Sequence, residues 1–197
     1  MEKNGKRFEG KLVIVTASTQ GIGFSIAERL GLECASVVIS SRKQKNVDEA
    51  VKKLSDGGIE VLGLVCHVLN AQQRKNLIEK TIQDAAPYLK KGSSVVLISS
   101  IAGYAPPALM GMYGVTKTAL FGLTKALASE MSPDTRVNCV APGFVPTHFT
   151  EYIRKNEHLR RETEGKTLLN RLGTTRDMAA AVAYLASDDA AYDLLAS

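Results

Sequence analysis

The chain has 197 residues, 45% of them hydrophobic and 23% charged, enough for a compact α/β domain with a substantial apolar core. No apolar run is long enough to cross a membrane, and residues 1–10 lack the apolar stretch of a signal peptide. We therefore expect a single domain over residues 1–197, flexible at residues 1–10, in a cytoplasmic protein without a membrane span.

The net charge is +5, a basic balance that fits either an anionic cofactor or nucleic acid. The lysines and arginines are scattered, however, and no nucleic-acid recognition pattern is visible, so a solvated surface is the simpler interpretation. We expect no nucleic-acid partner. The widely spaced Cys34, Cys66 and Cys139 lie beside or inside apolar stretches, which indicates buried free thiols, and no metal-ligand spacing is present.

Five short runs rich in Val, Ile and Leu predict β-strands, and amphipathic stretches between them predict helices. Most runs are continuously apolar, as is typical of strands covered by helices on both faces. The alternation favours a parallel sheet with right-handed crossovers. The predicted strands are Leu12–Thr16, Ser36–Ser40, Val61–Cys66, Ser94–Ser100 and Arg136–Pro142. The predicted helices are Ile22–Leu32, Val47–Leu54, Ala71–Leu89, Met112–Met131, His148–Arg161 and Asp177–Ala186, after which no final strand is visible.

A glycine-rich turn, TASTQGIG, joins the first strand to the first helix. Gly21 and Gly23 stand at the helix start, where the backbone must approach a ligand closely or adopt a positive φ. The helix N-terminus would offer its N–H groups to a pyrophosphate, and the Ser18 and Thr19 hydroxyls are candidate donors or helix caps. An ordinary tight turn is the alternative. The candidate cofactor-binding residues of this turn are Thr16, Ser18, Gly21, Ile22 and Gly23.

The second strand ends in Ser40, Ser41, Arg42 and Lys43, without an acidic residue. In Rossmann-type sites an acidic residue at this point binds the ribose 2′-hydroxyl, whereas a basic residue accommodates a 2′-phosphate. Ser41 and Arg42 therefore predict NADP(H) rather than NAD as the cofactor. A solvated Arg-Lys pair after a strand is the alternative interpretation.

Ser99 and Ser100 end the fourth strand, and Tyr113 and Lys117 follow four residues apart in a predicted helix. This spacing places the tyrosine and the lysine one turn apart on one helix face. A tyrosine has a pKa of about 10, and a nearby ammonium together with an oxidised nicotinamide lowers it toward proton transfer at neutral pH. The same spacing occurs on ordinary surface helices, and the serine pair and the glycine turn are what favour catalysis.

With these motifs in place, the sequence resembles the short-chain dehydrogenase/reductase family, in particular its branch of peroxisomal NADPH-dependent carbonyl reductases and their plant relatives. Matching segments include VTASTQGIGFSIAERL, ISSIAGYAPP, MYGVTKTALFGLTKALA and RVNCVAPGFVPT. The resemblance implies a Rossmann-type doubly wound parallel sheet, NADP(H), and a small carbonyl or alcohol substrate. It implies Ser100, Tyr113 and Lys117 as catalytic residues. Further cofactor-binding residues that it implies are His67, Val68, Pro142, Gly143, Val145 and Thr147, together with Tyr113 and Lys117.

Two residues depart from the family pattern where glycine is usual. Ala17 stands at the first glycine of the phosphate-binding turn, a replacement that this branch tolerates. Cys34 stands after the first helix, where a left-handed backbone costs a non-glycine residue about 1 kcal/mol.

A larger departure lies between the third and fourth predicted strands. The family pattern has there a strand with an NNAG-like motif and a long helix that carries a catalytic asparagine. In this chain Glu79–Gln83 runs straight into Asp84–Tyr88, which resembles a stretch beyond that helix. The resemblance therefore implies that one central strand, the asparagine-bearing helix and the last strand of the family pattern are absent. The chain also lacks a peroxisomal tripeptide.

The missing central strand would leave a gap of about 4.8 Å or unpaired strand edges. Two functions therefore stay open. One is an NADP(H)-dependent carbonyl reductase. The other is a catalytically impaired variant that binds nucleotide weakly or pairs with a full-length relative through Met112–Met131. Splicing and an error in the gene model would both explain the fusion.

Overall fold

The computed structural model describes residues 5–85 and 92–193. Contacts within the chain divide it into two compact units, Met1–Lys90 and Lys91–Ser197. Strands alternate with helices from β1 to β5, and every strand pairing in the described residues is parallel. The prediction of an α/β fold with parallel sheets is therefore confirmed.

The N-terminal unit consists of three strand–helix pairs whose bounds lie close to the predicted ones. The sheet order is β1-β2-β3, and residues 37–40 of the central strand β2 are buried. The helix predicted to end at Leu89 is described as far as Ala85, and its predicted end lies outside the described residues. The elements are β1 (Leu12–Val15), α1 (Gly21–Leu32), β2 (Ser36–Ser41), α2 (Gln44–Asp56), β3 (Val61–Val65) and α3 (Ala71–Ala85).

Apolar side chains from both strands and helices form the core of this unit. Val38 and Cys66 pack with Leu77 of α3, and each of the three is at most 5% exposed. The polar, basic composition of residues 1–10 predicts a flexible segment. Of these residues the structure describes 5–10, and Phe8 is buried while its N–H donates to the Glu33 carbonyl over 2.9 Å. Burial of this side chain ties the segment to the end of α1.

In residues 92–193 the C-terminal unit has two parallel strands, β4 and β5, and four α-helices. The predicted helix over His148–Arg161 is divided at Asn156, whose side chain caps the second half by accepting from the Leu159 N–H over 3.0 Å. No strand follows β5 in the described residues, and residues 194–197 lie outside them. The elements are β4 (Ser93–Ile98), α4 (Gly111–Met131), β5 (Thr135–Val140), α5 (Glu151–Lys155), α6 (Glu157–Gly165) and α7 (Thr175–Ala186), with 3-10 turns at Ile101–Gly103, His148–Thr150 and Asp188–Ala190.

Among the described strands β1, β3, β4 and β5 stand at sheet edges, and β1 and β4 are the two whose edges the loss of a central strand is predicted to leave open. Within the described ranges β1 pairs only with β2, and β4 pairs only with β5. The backbone groups on the other side of each strand therefore have no strand partner there.

The three cysteines are free, but only Cys66 is fully buried. Cys34 and Cys139 are half-buried, so the prediction of buried thiols is confirmed only for Cys66. Among the described residues, no helix is both long and apolar enough to span a membrane, and no cluster of ligating side chains suits a metal ion.

Candidate active site

The turn between β1 and α1 depends on glycine-like backbone geometry, as its sequence predicts. Gly21 has a φ of 61°, and Ala17 adopts a φ of 51° where the family usually has glycine. A Cβ on Gly23 would lie 2.7 Å from the Ala17 carbonyl oxygen, closer than any contact it could tolerate. The backbone of the turn therefore lies directly against the first turn of α1, at a distance that only glycine at position 23 allows.

Ser18 does not cap α1, contrary to one of its two predicted roles. The residue is fully buried, and its hydroxyl donates to the Val15 carbonyl over 2.5 Å and accepts the Ser40 N–H over 3.2 Å. Its own N–H donates to the Ser40 carbonyl over 3.0 Å. These bonds join the turn to β1 and β2. Because the Ser18 hydroxyl is already bonded to Val15 and Ser40, it is not available to cap α1.

The N-terminus of α1 is instead open. Its N-cap residue is Gln20, whose side chain makes no capping hydrogen bond, and no acidic residue lies in the first turn. The partial positive charge of the helix end is therefore not neutralised by a side chain of that turn. Thr16 is exposed and Ile22 is half-buried beside this helix end.

The residues predicted to select the cofactor follow β2 directly. Ser41 is the last residue of the strand, and its carbonyl accepts the Cys66 N–H over 2.9 Å. Arg42 and Lys43 are exposed, and neither makes an ion pair or a side-chain hydrogen bond within residues 5–85. Two cations therefore face solvent at the carboxyl end of this strand.

His67 and Val68 lie in the turn after β3. The His67 N–H donates to the Gln73 side chain over 2.7 Å, and its Nδ1 accepts the Leu69 N–H over 3.3 Å. The Val68 side chain is 49% exposed. Because the carboxyl ends of parallel strands meet at one edge of a sheet, this turn shares an edge with Arg42 and the turn after β1.

In the C-terminal unit, the two serines after β4 have different surroundings. Ser100 is half-buried and opens the 3-10 turn Ile101–Gly103, where its Oγ accepts the Ala102 N–H over 3.1 Å. Ser99 is only 3% exposed, and its Oγ donates to the Lys117 carbonyl over 2.7 Å. Only Ser100 therefore presents a partly exposed hydroxyl.

Tyr113 and Lys117 lie on one face of α4, as their spacing predicts. The Lys117 Nζ is 5.7 Å from the centroid of the Tyr113 ring and donates to the Ile98 carbonyl over 3.0 Å. Burial lowers the pKa of Lys117, and the nearby Cys139 sulfur partly offsets this shift. A positive charge is thus held beside the tyrosine ring in a poorly solvated position.

Tyr113 has an aromatic neighbour that the sequence does not predict. The rings of Tyr113 and Phe149 have centroids 5.4 Å apart and are tilted by 31°. Phe149 follows the PGFVPT segment and is 60% exposed. No spacing rule connects a loop residue to a helix 36 positions earlier, so only the fold shows this contact.

The loop after β5 lies against the turn that Ser100 opens. The Pro142 carbonyl accepts the Ile101 N–H over 3.0 Å, and Gly143 is exposed next to it. Val145 points inward and is only 3% exposed. Thr147 forms a capping box with Thr150, whose Oγ1 accepts the Thr147 N–H over 2.9 Å. The Thr147 N–H and the Thr147 carbonyl, which accepts the Thr150 N–H over 3.1 Å, are therefore engaged in a local helix start.

Two family models match the chain and meet at the predicted junction. Residues 11–87 match the model described as short chain dehydrogenase, and residues 79–193 match the model described as enoyl-(acyl carrier protein) reductase. The overlap includes Glu79–Gln83 and most of the segment that follows, where the sequence predicts that two parts of the family pattern are fused.

Curated relatives match nearly the whole chain. It is 60% identical to Tropinone reductase-like 3 of Erythroxylum coca, with 95% of this chain and 90% of the relative covered. It is 56% identical to Short-chain dehydrogenase/reductase SDRA of Arabidopsis thaliana, covering 98% and 94%. It is 37% identical to human Dehydrogenase/reductase SDR family member 4, covering 92% and 83%.

The alignments also support an internal loss. The first two run over 233 and 238 positions, although the chain has only 197 residues. Such alignments require gaps opposite residues that the relatives have and this chain lacks. The lengths of these alignments therefore support the prediction that the chain lacks an internal segment that its relatives have.

Solved structures show the same fold at low identity. A short-chain dehydrogenase/reductase, described as glucose/ribitol dehydrogenase, from Brucella melitensis superposes with a TM-score of 0.88 at 24% identity, covering 98% of this chain and 95% of that one. An actinorhodin polyketide ketoreductase with NADPH gives 0.86 at 22%, covering 93% of each chain. Together with the relatives and the family models, this Rossmann-type fold shows that the chain belongs to the short-chain dehydrogenase/reductase family of nicotinamide-dependent oxidoreductases, which act on small molecules.

Proposed function

We propose that this chain binds NADP(H) and reduces the carbonyl group of a small molecule, with Tyr113 as the proton donor. The observation that carries the proposal is the half-buried Lys117 ammonium, 5.7 Å from the Tyr113 ring on the same face of α4. A positive charge at this place stabilises the phenolate that forms when the tyrosine gives up its proton.

Each catalytic residue has one task in this scheme. The reduced nicotinamide, when bound, supplies the hydride that the carbonyl carbon receives. The Ser100 hydroxyl donates a hydrogen bond to the carbonyl oxygen, and the Tyr113 hydroxyl gives that oxygen its proton. The Lys117 charge stabilises the phenolate that Tyr113 then becomes. In the reverse direction Tyr113 accepts the proton from an alcohol.

The turn between β1 and α1 supports the proposal that the chain binds a nucleotide. This support rests on Gly23, which approaches the Ala17 carbonyl too closely for any side chain, and on the open N-terminus of α1. Backbone N–H groups at such a helix end bind phosphate oxygens. We assign the turn residues Thr16, Gly21, Ile22 and Gly23 to the nucleotide, and we assign the fully buried Ser18, whose hydroxyl and N–H bond to β1 and β2, to supporting the turn.

We assign the 2′-phosphate to Ser41 and Arg42, since the Arg42 guanidinium faces solvent without a protein partner in the described residues. This assignment is what favours NADP(H) over NAD. The remaining proposed cofactor contacts follow the family pattern and comprise His67, Val68, Pro142, Gly143, Val145 and Thr147 with Tyr113 and Lys117.

The test is oxidation of NADPH by the purified chain in the presence of an aromatic ketone or a diketone. We expect turnover, and we expect Tyr113→Phe to lower kcat by about 10² to 10⁴, because a general acid contributes that much. The NADPH affinity of the variant should stay within a few-fold of the parent. Folded protein that turns over neither substrate would overturn the proposal.

A second candidate is a partner role with little activity of its own. It is favoured by the absence of a counterpart to the family's catalytic asparagine and by α4, whose exposed face carries apolar side chains. Met112 is 77% exposed, Val115 61% and Leu123 44%. A chain of this type would pair with a second copy or with a full-length relative. Native mass spectrometry of a mixture with such a relative should then show a heterodimer, and its absence at micromolar concentration would reject the pairing.

A further inference from the structure

Two reciprocal hydrogen bonds join the end of β4 to α4. The Ser99 Oγ donates to the Lys117 carbonyl over 2.7 Å, and the Lys117 Nζ donates to the Ile98 carbonyl over 3.0 Å. Each segment thus contributes one side chain and one main-chain acceptor. We call these three residues, Ile98, Ser99 and Lys117, the clasp.

The strand register explains why the Ile98 carbonyl is available to the lysine. The Ser99 N–H donates to the Val140 carbonyl over 2.8 Å, so the main-chain groups of Ser99 point toward β5. Those of Ile98 point to the opposite edge of β4, because alternate residues of a strand face opposite sides. No strand pairs with that edge in residues 92–193, and Lys117 occupies the acceptor there.

The 3-10 turn Ile101–Gly103 also packs closely against the Lys117 carbonyl. A Cβ on Gly103 would lie 3.1 Å from the Lys117 carbonyl oxygen and 3.0 Å from its carbon. The Thr118 Oγ1 donates to the Gly103 carbonyl over 2.7 Å. Gly103 ends the 3-10 turn that Ser100 opens. The clasp therefore sets α4 at a fixed distance from the segment that carries Ser100.

We propose that Ser99 is a positioning residue: its hydroxyl holds the backbone of Lys117 so that the lysine ammonium and Tyr113 keep their places relative to Ser100. Its burial, at 3% exposed, prevents it from touching a substrate. The catalytic consequence rests on the proposed function, whereas the structural consequence for Lys117 does not.

The surroundings of the ammonium provide a readout that is independent of turnover. The groups that face it are the Tyr113 ring on α4, the Cys139 sulfur on β5 and the Ile98 carbonyl at the end of β4. Burial lowers the pKa of Lys117. Release of its backbone would let water reach the ammonium, so the pKa would move back up toward its ordinary value.

The experiment compares Ser99→Ala with Ser99→Thr and with a matched control, Thr124→Ala. Thr124 is fully buried on α4 and its Oγ1 donates to the Leu120 carbonyl of the same helix over 2.6 Å, so its removal deletes a buried hydroxyl bond two turns away without releasing α4 from a second segment. The pKa of Lys117 is followed by NMR of isotope-labelled lysine, with the signal assigned from Lys117→Arg. The kcat for ketone reduction is measured across pH on the same samples.

We expect Ser99→Ala to raise the pKa of Lys117 and to lower kcat by about tenfold to a hundredfold, as misplaced catalytic groups do. Ser99→Thr keeps the hydroxyl and should retain both values, and Thr124→Ala should change neither. Should Ser99→Ala not fold, Ser99→Cys keeps the volume with a weaker donor.

An unchanged pKa of Lys117 in folded Ser99→Ala overturns the proposal, whatever the activity. If no variant and no parent protein reduces any carbonyl, the proposed function fails, while the titration of Lys117 still decides the role of Ser99. A fall in kcat of equal size in Ser99→Ala and Thr124→Ala would reduce Ser99 to a purely structural residue and would also overturn the proposal.

Discussion

The helices α1 and α7 begin in opposite ways. At α7 the Thr174 Oγ accepts the Asp177 N–H over 3.0 Å, and the Asp177 side chain accepts the Thr174 N–H over 2.8 Å. The start of α1 has neither a side-chain cap nor an acidic residue in its first turn. Every helix start has N–H groups that need acceptors. Where side chains of the helix itself accept these N–H groups, as at α7, the helix start has a structural role. Where no side chain accepts them, as at α1, the N–H groups can bind an anion.

The uncapped start of α1 depends on the backbone geometry of the turn before it. Adding one methyl group at Gly23 is therefore the change with the largest expected effect. Gly23→Ala places a Cβ 2.7 Å from the Ala17 carbonyl oxygen, so the turn must shift away from the helix end. We expect the Kd for NADPH to rise at least about tenfold, equivalent to about 1.4 kcal/mol. Fluorescence titration of NADPH measures the effect.

The matched control is Gly122→Ala on α4, where a Cβ would meet nothing within 4 Å. That variant should bind NADPH normally and gain up to about 1 kcal/mol in stability, because alanine favours a helix interior. Normal NADPH binding by folded Gly23→Ala would show that the open helix end does not hold the nucleotide.

Arg42 tests whether the charge beside the open helix end selects the cofactor. Removing a charge-assisted hydrogen bond to a 2′-phosphate costs about 1.5 to 3 kcal/mol, so Arg42→Ala should raise the Kd for NADPH about tenfold or more. The Kd for NADH, which lacks that phosphate, should not change. Lys52→Ala removes an equal charge from α2, where Lys52 pairs with Asp56, and should affect neither cofactor. A parallel loss for NADH would contradict the assignment.

The features of the fold and of the candidate site that the sequence predicts are those determined by residues close together in the chain. The five strands lie within two residues of their predicted bounds because Val- and Ile-rich runs encode them directly. Cys34 has a φ of 72°, as expected at a position where the family has glycine. A positive φ of this kind can be predicted from the sequence, because it is a property of one residue position.

Contacts between segments that are distant in the chain could not be predicted from the sequence. Neither the burial of the Ser18 hydroxyl against β2 nor the bond from Lys117 to the Ile98 carbonyl follows from any spacing. The Phe149 ring reaches Tyr113 only because the loop after β5 folds back. These contacts depend on packing, which a single sequence does not display. The helix break at Asn156 is a different case, because it rests on a local bond from the Leu159 N–H to the Asn156 side chain, and asparagine at a helix start is a signal that the sequence does carry.

The closed start of α7 gives a smaller, purely structural effect. Thr174→Ala removes the hydroxyl that accepts the Asp177 N–H and should lower the free energy of unfolding by about 1 kcal/mol. The Kd for NADPH should stay the same, in contrast to Gly23→Ala. Chemical denaturation and nucleotide titration on the same sample check both expectations. A loss of nucleotide affinity would show that the two helix starts do not differ in function.

Acidification should weaken the same closed start gradually. The Arg171 side chain, followed by the N–H and the hydroxyl of Thr174, holds the pKa of Asp177 well below its usual range. A carboxyl group whose pKa is depressed on folding adds stability above its unfolded pKa of about 3.9, and this contribution is lost as the pH falls toward the folded value. The stability difference between the parent and Asp177→Asn should therefore be constant near neutral pH and shrink below about pH 4. The contribution is small, because the Asp177 side chain is 38% exposed and water screens its pair with Arg171. A difference that grows on acidification would mean that Asp177 is protonated more easily in the folded chain, and the cap would then owe its strength to Thr174 alone.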